Sequence, residues 1–91
     1  MWRFKQTTQF KKDLKRILNQ PEKLKALERV LSGLEKNGTA PSEYGPHPLS
    51  GNWSGFMECH VQGDFLLIWY DKEVGIIKLV RLGSHSELFG K

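Results

Sequence analysis

Residues 55–82 decide the fold of this chain and read GFMECHVQGDFLLIWYDKEVGIIKLVRL. The stretch consists of three strand-like runs: 55–61, 65–71 and 76–82. Gln62-Gly63-Asp64 forms the first turn between them and residues 71–75 form the second, because glycine and aspartate favour tight reversals of the chain. Short turns between successive strands predict an antiparallel meander.

The preceding third of the chain is predicted to form one strand and two helices. Apolar and charged residues alternate over residues 2–5, which indicates a short first strand. Apolar residues then recur every three or four positions over residues 10–34, with a break at Asn19-Gln20-Pro21. Thr7 or Thr8 can cap the first helix. The order β-α-α-β-β-β predicts an α+β fold in which a helical hairpin packs on one face of a mainly antiparallel sheet, followed by a short tail.

Length and composition predict a single domain over residues 1–91. The lone Cys59 excludes an internal disulfide and fits a reducing compartment. There is no apolar run long enough to span a bilayer, and the basic N-terminus lacks the apolar segment of a signal peptide. We therefore expect a soluble cytoplasmic protein that makes no use of a membrane. The Gly- and Pro-rich residues 38–54 are predicted to form a long loop.

Positive charge is concentrated in the first part of the chain. Residues 1–36 hold ten Lys and Arg against four Asp and Glu, whereas residues 37–91 hold four against six. This asymmetry favours a polyanionic partner, either nucleic acid or an acidic protein, although a solvated helix face is an equal alternative. The cations on the two predicted helices are Lys11, Lys12, Lys15, Arg16, Lys23, Lys25 and Arg29.

The three histidines all lie in the second half of the chain, at positions 47, 60 and 85. Alternation along the strand places Phe56, Glu58 and His60 on one face. Because the chain reverses direction twice, the end of the first meander strand lies near the end of the third. The topology therefore brings His60, Asp64 and residues 81–85 to one end of the sheet.

Such a cluster has the groups needed to cleave RNA. One imidazole could accept the proton of a ribose 2′-OH and another could protonate the departing 5′ oxygen. Arg81 could bind phosphate oxygens, Asp64 could orient a histidine, and Phe89 or Phe65 could stack a base. Each residue could instead have a purely structural role. His47 and Asp64 could be ordinary turn residues, and Phe89 could anchor the C-terminus in the core. Arg81 could form an ion pair with Glu58 or Asp64.

The histidines and Cys59 do not form a metal-binding pattern. Their spacings match no compact zinc motif, and the adjacent Cys59 and His60 should face opposite ways. We predict no metal and no cofactor.

Four strings of this chain resemble the YafQ-like branch of the RelE/ParE toxin superfamily. They are HPLSGNW (residues 47–53), GFMECHV (55–61), DFLLI (64–68) and RLGSHSELF (81–89). With the paired helices and the first strand, the resemblance covers nearly the whole chain. The family usually has Trp where this chain has Phe65, and often a cation where it has Met57.

The resemblance implies a toxin of a bacterial type II toxin–antitoxin module. Such toxins are metal-independent mRNA endoribonucleases that act on the translating ribosome. A protein antitoxin silences them, and DNA is reached only through the antitoxin complex. The family's functional positions fall on His47, His60, Asp64, His85 and Phe89, with an aromatic at Phe65. The resemblance assigns them to acid/base chemistry, substrate positioning and contact with the message, with His85 as the principal proton-transfer residue. Given such a toxin, the cations of the basic helices could dock on the polyanionic ribosomal RNA, or could bind an acidic segment of the antitoxin, or both.

Two other functions stay open on the sequence. A ParE-like toxin shares the superfamily fold but poisons gyrase by binding, and a binding poison needs no proton-transfer histidines. A non-catalytic RNA- or ribosome-binding module needs only the charge and the aromatic residues.

Overall fold

The computed structural model describes residues 1–90, which form five strands and three helices. The strands are β1 (Arg3–Gln6), β2 (His47–Pro48), β3 (Met57–Gln62), β4 (Phe65–Glu73) and β5 (Ile76–Gly83), and the helices are α1 (Thr8–Lys15), α2 (Pro21–Asn37) and α3 (His85–Phe89). The predicted α+β class, with a helical hairpin on one face of a mainly antiparallel sheet, is confirmed. Within residues 1–90 no helix has the length and apolarity needed to cross a membrane.

The strands form one sheet in the order β1-β5-β4-β3-β2. The predicted meander is confirmed, since β3, β4 and β5 pair antiparallel in succession. β1 runs parallel to β5 and forms one edge, and the two-residue β2 forms the other. The ends of β3 and β5 therefore lie at the same end of the sheet, on either side of the start of β4.

The main core lies between the helical hairpin and the sheet. Phe10 of α1 and Val30 and Leu34 of α2 pack with Trp69 and Ile77 of the sheet, and all five are almost fully buried. The side chain of Thr7 caps α1 by accepting a hydrogen bond from the Phe10 N–H. The helical periodicity predicted Leu18 for the apolar stripe, and this is wrong: α1 ends at Lys15 and Leu18 is 60% exposed.

The opposite face of the sheet is also covered, which was not predicted. Leu66 and Ile68 of β4 pack with Leu88 of α3, against Trp53, Phe56 and other half-buried apolar side chains. The predicted 38–54 loop contains β2 and two short 3₁₀ turns, and the predicted tail is the helix α3. These segments cover the face because β4 is apolar on both sides, so a sheet with one bare face would expose it to water.

A β-bulge near the end of β5 changes which side chains face the helices. Ile68 pairs with Arg81, but its neighbour Trp69 pairs with Leu79, so β5 has one extra residue here. Leu82 consequently packs in the same core as Leu79. Strict alternation along β5 would put these two leucines on opposite faces, and the bulge is the reason that they share one.

Candidate active site

Four rings lie next to one another at the end of the sheet where β3 and β5 end. The ring centroids of His47 and His60 are 6.2 Å apart, those of His60 and His85 are 6.2 Å apart, and those of His85 and Phe89 are 5.9 Å apart. The predicted convergence of His60, Asp64 and His85 is confirmed. His47 joins them because β2 pairs with β3, which places it opposite Glu58.

His85 is held by Asp64 through two contacts. Its Nδ1 lies 2.5 Å from Oδ1 of Asp64, and its backbone N–H donates to the same oxygen at 3.3 Å. The hydrogen bond from the His85 ring is the largest cause that lowers the pKa of Asp64, and the His85 backbone N–H adds to it. An ionised carboxylate at this position requires the proton on Nδ1, and Nε2 of His85 is then the ring nitrogen without a partner among residues 1–90.

His60 is oriented by the turn that follows it. Its Nδ1 lies 3.3 Å from the carbonyl oxygen of Gly63, which can only accept a hydrogen bond, so Nδ1 carries the proton. Gly63 adopts φ 54°, a left-handed conformation that favours glycine. Among residues 1–90 neither Nε2 of His60 nor Nε2 of His85 has a partner, so two imidazole nitrogens remain available to the same ligand.

His47 differs from the other two histidines because both of its nitrogens face acceptors. Nδ1 lies 3.0 Å from the carbonyl oxygen of Gly45, and Nε2 lies 3.1 Å from Oε1 of Glu58. Glu58 is 3% exposed, and its second oxygen is buried without a partner among residues 1–90. The geometry requires a proton between His47 Nε2 and Glu58 Oε1, so this pair holds a proton beside His60.

Glu58 is the residue of this site that sequence reasoning did not assign. It was placed on the same strand face as His60 but was considered only as a partner for Arg81. The signal was a carboxylate between the apolar neighbours Met57 and Cys59 of a predicted strand, because a buried acid requires a partner.

The position of His85 depends on the cap of α3, whose first residue it is. The Ser84 side chain accepts from the Glu87 N–H at 3.2 Å, and a Glu87 carboxylate oxygen accepts from the Ser84 N–H at 2.8 Å. This is a capping box, and its Ser-x-x-Glu signature was present in the sequence. A Cβ at Gly83 would lie 2.8 Å from that carboxylate oxygen, so glycine lets the box close against β5.

Phe89 packs against two other rings. Its centroid is 5.7 Å from that of Trp53 in an edge-to-face arrangement, and it lies beside His85. Phe89 belongs to the smaller apolar cluster with Leu88. It therefore anchors α3 while one side remains half-exposed at the histidines.

Arg81 does not join the histidines. Its Nε donates to Oδ2 of Asp13 at 2.8 Å, and its Nη2 donates to Oδ1 of Asp13 at 3.4 Å. The predicted ion pair with Glu58 or Asp64 is wrong, because the bulge and the end of β1 leave Arg81 beside α1. Burial raises the pKa of Asp13, but the hydrogen bonds from Arg81, the Leu82 N–H and Gln9 outweigh it and lower that pKa overall. A role of Arg81 in RNA binding stays a prediction.

The other predicted RNA-binding residues are divided between core and surface. Phe65 is 6% exposed with the Lys23 ammonium 4.9 Å from its ring centroid, so it presents no open face on which a base could stack. Four predicted cations of the first helix and its C-terminal end are exposed: Lys11, Lys12, Lys15 and Arg16. Within residues 1–90 no group of three His, Cys, Asp or Glu side chains has a metal-binding arrangement.

The fold and the histidine cluster define a class of small α+β bacterial toxins, and comparison with known proteins gives the family. Residues 2–90 match the family described as bacterial toxin of type II toxin-antitoxin system, YafQ. The chain belongs to the YafQ toxin family.

Individual relatives agree with this assignment. The mRNA interferase toxin YafQ of Escherichia coli K12 is 32% identical over 83 residues, covering 90% of this chain and 89% of that protein. A metal-bound toxin from Helicobacter pylori is 39% identical with a TM-score of 0.85, covering 98% of this chain and 100% of that one. A chain of the E. coli DinJ-YafQ complex is 28% identical with a TM-score of 0.83, covering 99% and 100%. The resemblance stated from the sequence strings is confirmed.

Proposed function

We propose that this chain is an mRNA endoribonuclease that cleaves by histidine acid/base chemistry on the ribosome. The observation that carries the proposal is the pair His60 and His85, whose ring centroids are 6.2 Å apart and whose Nε2 atoms have no partner among residues 1–90. Two imidazoles at this separation can serve the attacking and the leaving oxygen of one phosphodiester. The mRNA interferase activity of the E. coli relative supports the same reaction.

The reaction needs two proton transfers, and the imidazoles supply both without a metal. One Nε2 accepts the proton of the ribose 2′-OH as its oxygen attacks phosphorus. The other imidazole, protonated, donates to the 5′ oxygen as the P–O bond breaks, which leaves a 2′,3′-cyclic phosphate and a 5′-OH. His85 is our choice for the principal proton-transfer residue, because Asp64 fixes its tautomer.

His47 and Phe89 take supporting roles in this proposal. His47 would bind the substrate or shuttle a proton, because its pair with Glu58 holds a proton and its ring centroid is 6.2 Å from that of His60. The half-exposed side of Phe89 lies beside His85 and offers an apolar contact for a base of the message.

The proposed partners follow from charge and from the relatives. The exposed cations Lys11, Lys12, Lys15 and Arg16 form a surface suited to ribosomal RNA. The E. coli YafQ chain is found in a complex with DinJ, so we expect a cognate antitoxin that silences this chain, with DNA contacted only through that complex. We further propose that residues 1–91 act as one domain in the cytoplasm.

The salt dependence of ribosome binding tests the role of the exposed cations. The affinity should fall steeply as the salt concentration rises, and an affinity that does not change with salt would exclude binding through these charges.

Induced expression of wild type and His85→Ala tests the proposed reaction. We expect wild type to arrest growth and to produce new 5′-OH ends within messages on ribosomes. The variant should relieve the arrest while keeping its fold and its antitoxin binding. Equal cleavage by the variant would remove His85 from the reaction. DNA damage without RNA cleavage would favour the gyrase alternative, and arrest without any cutting would favour a binding module.

A further inference from the structure

A cleft opens beside the histidine cluster, between the α1–α2 turn and the end of the sheet. Its volume is about 330 Å³, which lies within the size range of small-molecule sites. α1, α2 and the turn between them form one wall. The other wall is formed by Gln62, Asp64, Phe65, Leu82, Gly83, Ser84 and Glu87. Phe65 contributes apolar surface, and Asp64 belongs both to the cleft and to the His85 pair.

The acidic groups of the cleft already have donors. Asp13 accepts from Arg81 and from the Leu82 N–H. Asp64 accepts from His85, and Glu87 accepts from the Ser84 N–H within the capping box. Because these carboxylates are occupied, they repel an anionic ligand less than their number suggests.

Two donors of the cleft have no acceptor. Among residues 1–90, the Lys23 ammonium has no carboxylate partner, and it lies 4.9 Å from the ring centroid of Phe65. The Gln62 side-chain amide likewise has no hydrogen-bond partner within that range. Lys23 is half-buried, so it is held at the wall rather than extended into solvent. A cation and an amide on the two walls of one cleft suit a phosphate and the hydrogen-bonding edge of a base.

The cleft continues away from the histidines into a second depression that shares Gln20, Lys23 and Gln62 with it. This depression ends at Pro21, the first residue of α2, where no side chain caps the helix. The uncapped first turn of a 17-residue helix adds a partial positive charge at that end. Glu22 lies in the same first turn and also lines the depression, so Lys23 and Gln62 are the donors that the path from Asp64 to α2 offers an anionic chain.

We propose that this cleft binds one nucleotide of the RNA next to the scissile phosphate, with Lys23 at its phosphate and Gln62 at its base. The inference rests on the proposed function and extends it, because it names a subsite that sets which nucleotide is accepted beside the cut. Lys23 and Gln62 would be binding residues and would take no part in proton transfer.

Nucleotide binding to the full chain tests the cleft without any cleavage. The probes are adenosine and uridine 5′-monophosphate, compared with inorganic phosphate, and the readout is the NMR titration of the Gln62 side-chain amide. Lys23→Gln removes the cation, and Lys36→Gln removes an exposed cation at the other end of the same helix as the matched control. We expect Lys23→Gln to weaken nucleotide binding about tenfold and Lys36→Gln to leave it unchanged.

The outcomes separate this inference from the proposed function. Equal effects of the two substitutions, or inorganic phosphate binding as tightly as the nucleotides, would overturn the nucleotide subsite. In a cleavage assay, Gln62→Ala should change the nucleotide preference at mapped cut sites, and an unchanged preference would also overturn it. If nucleotides bind in a Lys23-dependent manner while wild type cuts no RNA, the subsite stands and the proposed reaction fails.

Discussion

The Nδ1 atom of His85 lies 2.5 Å from Oδ1 of Asp64, and the same oxygen accepts the His85 backbone N–H. The carboxylate therefore fixes both the orientation of the ring and its tautomer. This contact joins the turn after β3 to the first residue of α3, which are 21 positions apart in the chain. The reactive nitrogen of His85 depends on a residue of another element.

Asp64→Asn is expected to reduce cleavage by about 10²-fold or more, because an amide in this place supplies no negative charge and can present a donor to Nδ1. Since the pKa of Asp64 is lowered, the wild-type carboxylate should stay ionised until the pH falls below about 4. Single-turnover rates at neutral pH measure the effect. Asp71→Asn, which changes an aspartate paired with Lys72, is the control. A wild-type rate for Asp64→Asn would remove Asp64 from the mechanism.

Asp13→Ala is expected to cost about 3–5 kcal/mol of unfolding free energy, because it leaves Arg81 and a buried backbone N–H without an acceptor. The pKa of Asp13 is lower in the folded than in the unfolded chain, so its contribution is present at neutral pH and is lost as the pH falls below about 4. Urea unfolding at neutral pH and below about pH 4 measures the difference in unfolding free energy between wild type and variant.

The double variant Asp13→Leu with Arg81→Met serves as the control for this prediction. It removes both charges and replaces them with apolar groups, so it should be much less destabilised than Asp13→Ala. If the difference between wild type and Asp13→Ala stays the same below about pH 4, the carboxylate is not the source of the stability.

Ser84→Ala is expected to lower the free energy of unfolding by about 1 kcal/mol, because it removes the side-chain acceptor of the capping box at the start of α3. The rate of RNA cleavage should also fall, because this cap holds His85 in place. Hydrogen exchange of the Glu87 N–H should become faster. Ser32→Ala changes an exposed serine in the middle of α2 and should leave both properties unchanged. If the Glu87 N–H exchanges at the wild-type rate in Ser84→Ala, the Ser84 side chain does not cap α3.

Cys59 should be unreactive in the native protein. Burial, with a smaller effect from the charge of Glu58, raises the pKa of its thiol to about 12. A thiol-specific disulfide reagent at pH 8 should therefore react slowly with the folded chain and rapidly in urea, since the thiolate is the nucleophile. Fast labelling of the folded protein would disprove the buried position. Cys59→Ala should retain cleavage.

The sequence predicted the meander and the helical hairpin because these elements follow local rules. Alternation placed Glu58 and His60 on one face, and the turn at Gly63 was unambiguous. The meander then placed His60 near His85 with no long-range information. That part of the site could be predicted because it depends only on the direction of neighbouring strands.

The remaining parts of the site depend on tertiary contacts that local rules do not contain. The pairing of His47 with the buried Glu58 requires a two-residue strand inside a loop, too short to give a periodic signal. The partner of Arg81 lies 68 positions away on α1, and the bulge that places it there has no distinct sequence pattern. Phe65 was predicted as a residue on which a base could stack, yet its ring is 6% exposed and belongs to the main core.

The pH dependence of kcat/KM for ribosome-bound mRNA tests the central claim most directly. If His60 and His85 act as a proton acceptor and a proton donor, wild type should give a bell-shaped profile. His60→Gln and His85→Gln, each folded and able to bind antitoxin, should lose at least about 10²-fold in rate, and each should lose one limb of the bell. Full cleavage by either variant, or a profile in which both limbs persist in both variants, would contradict the account.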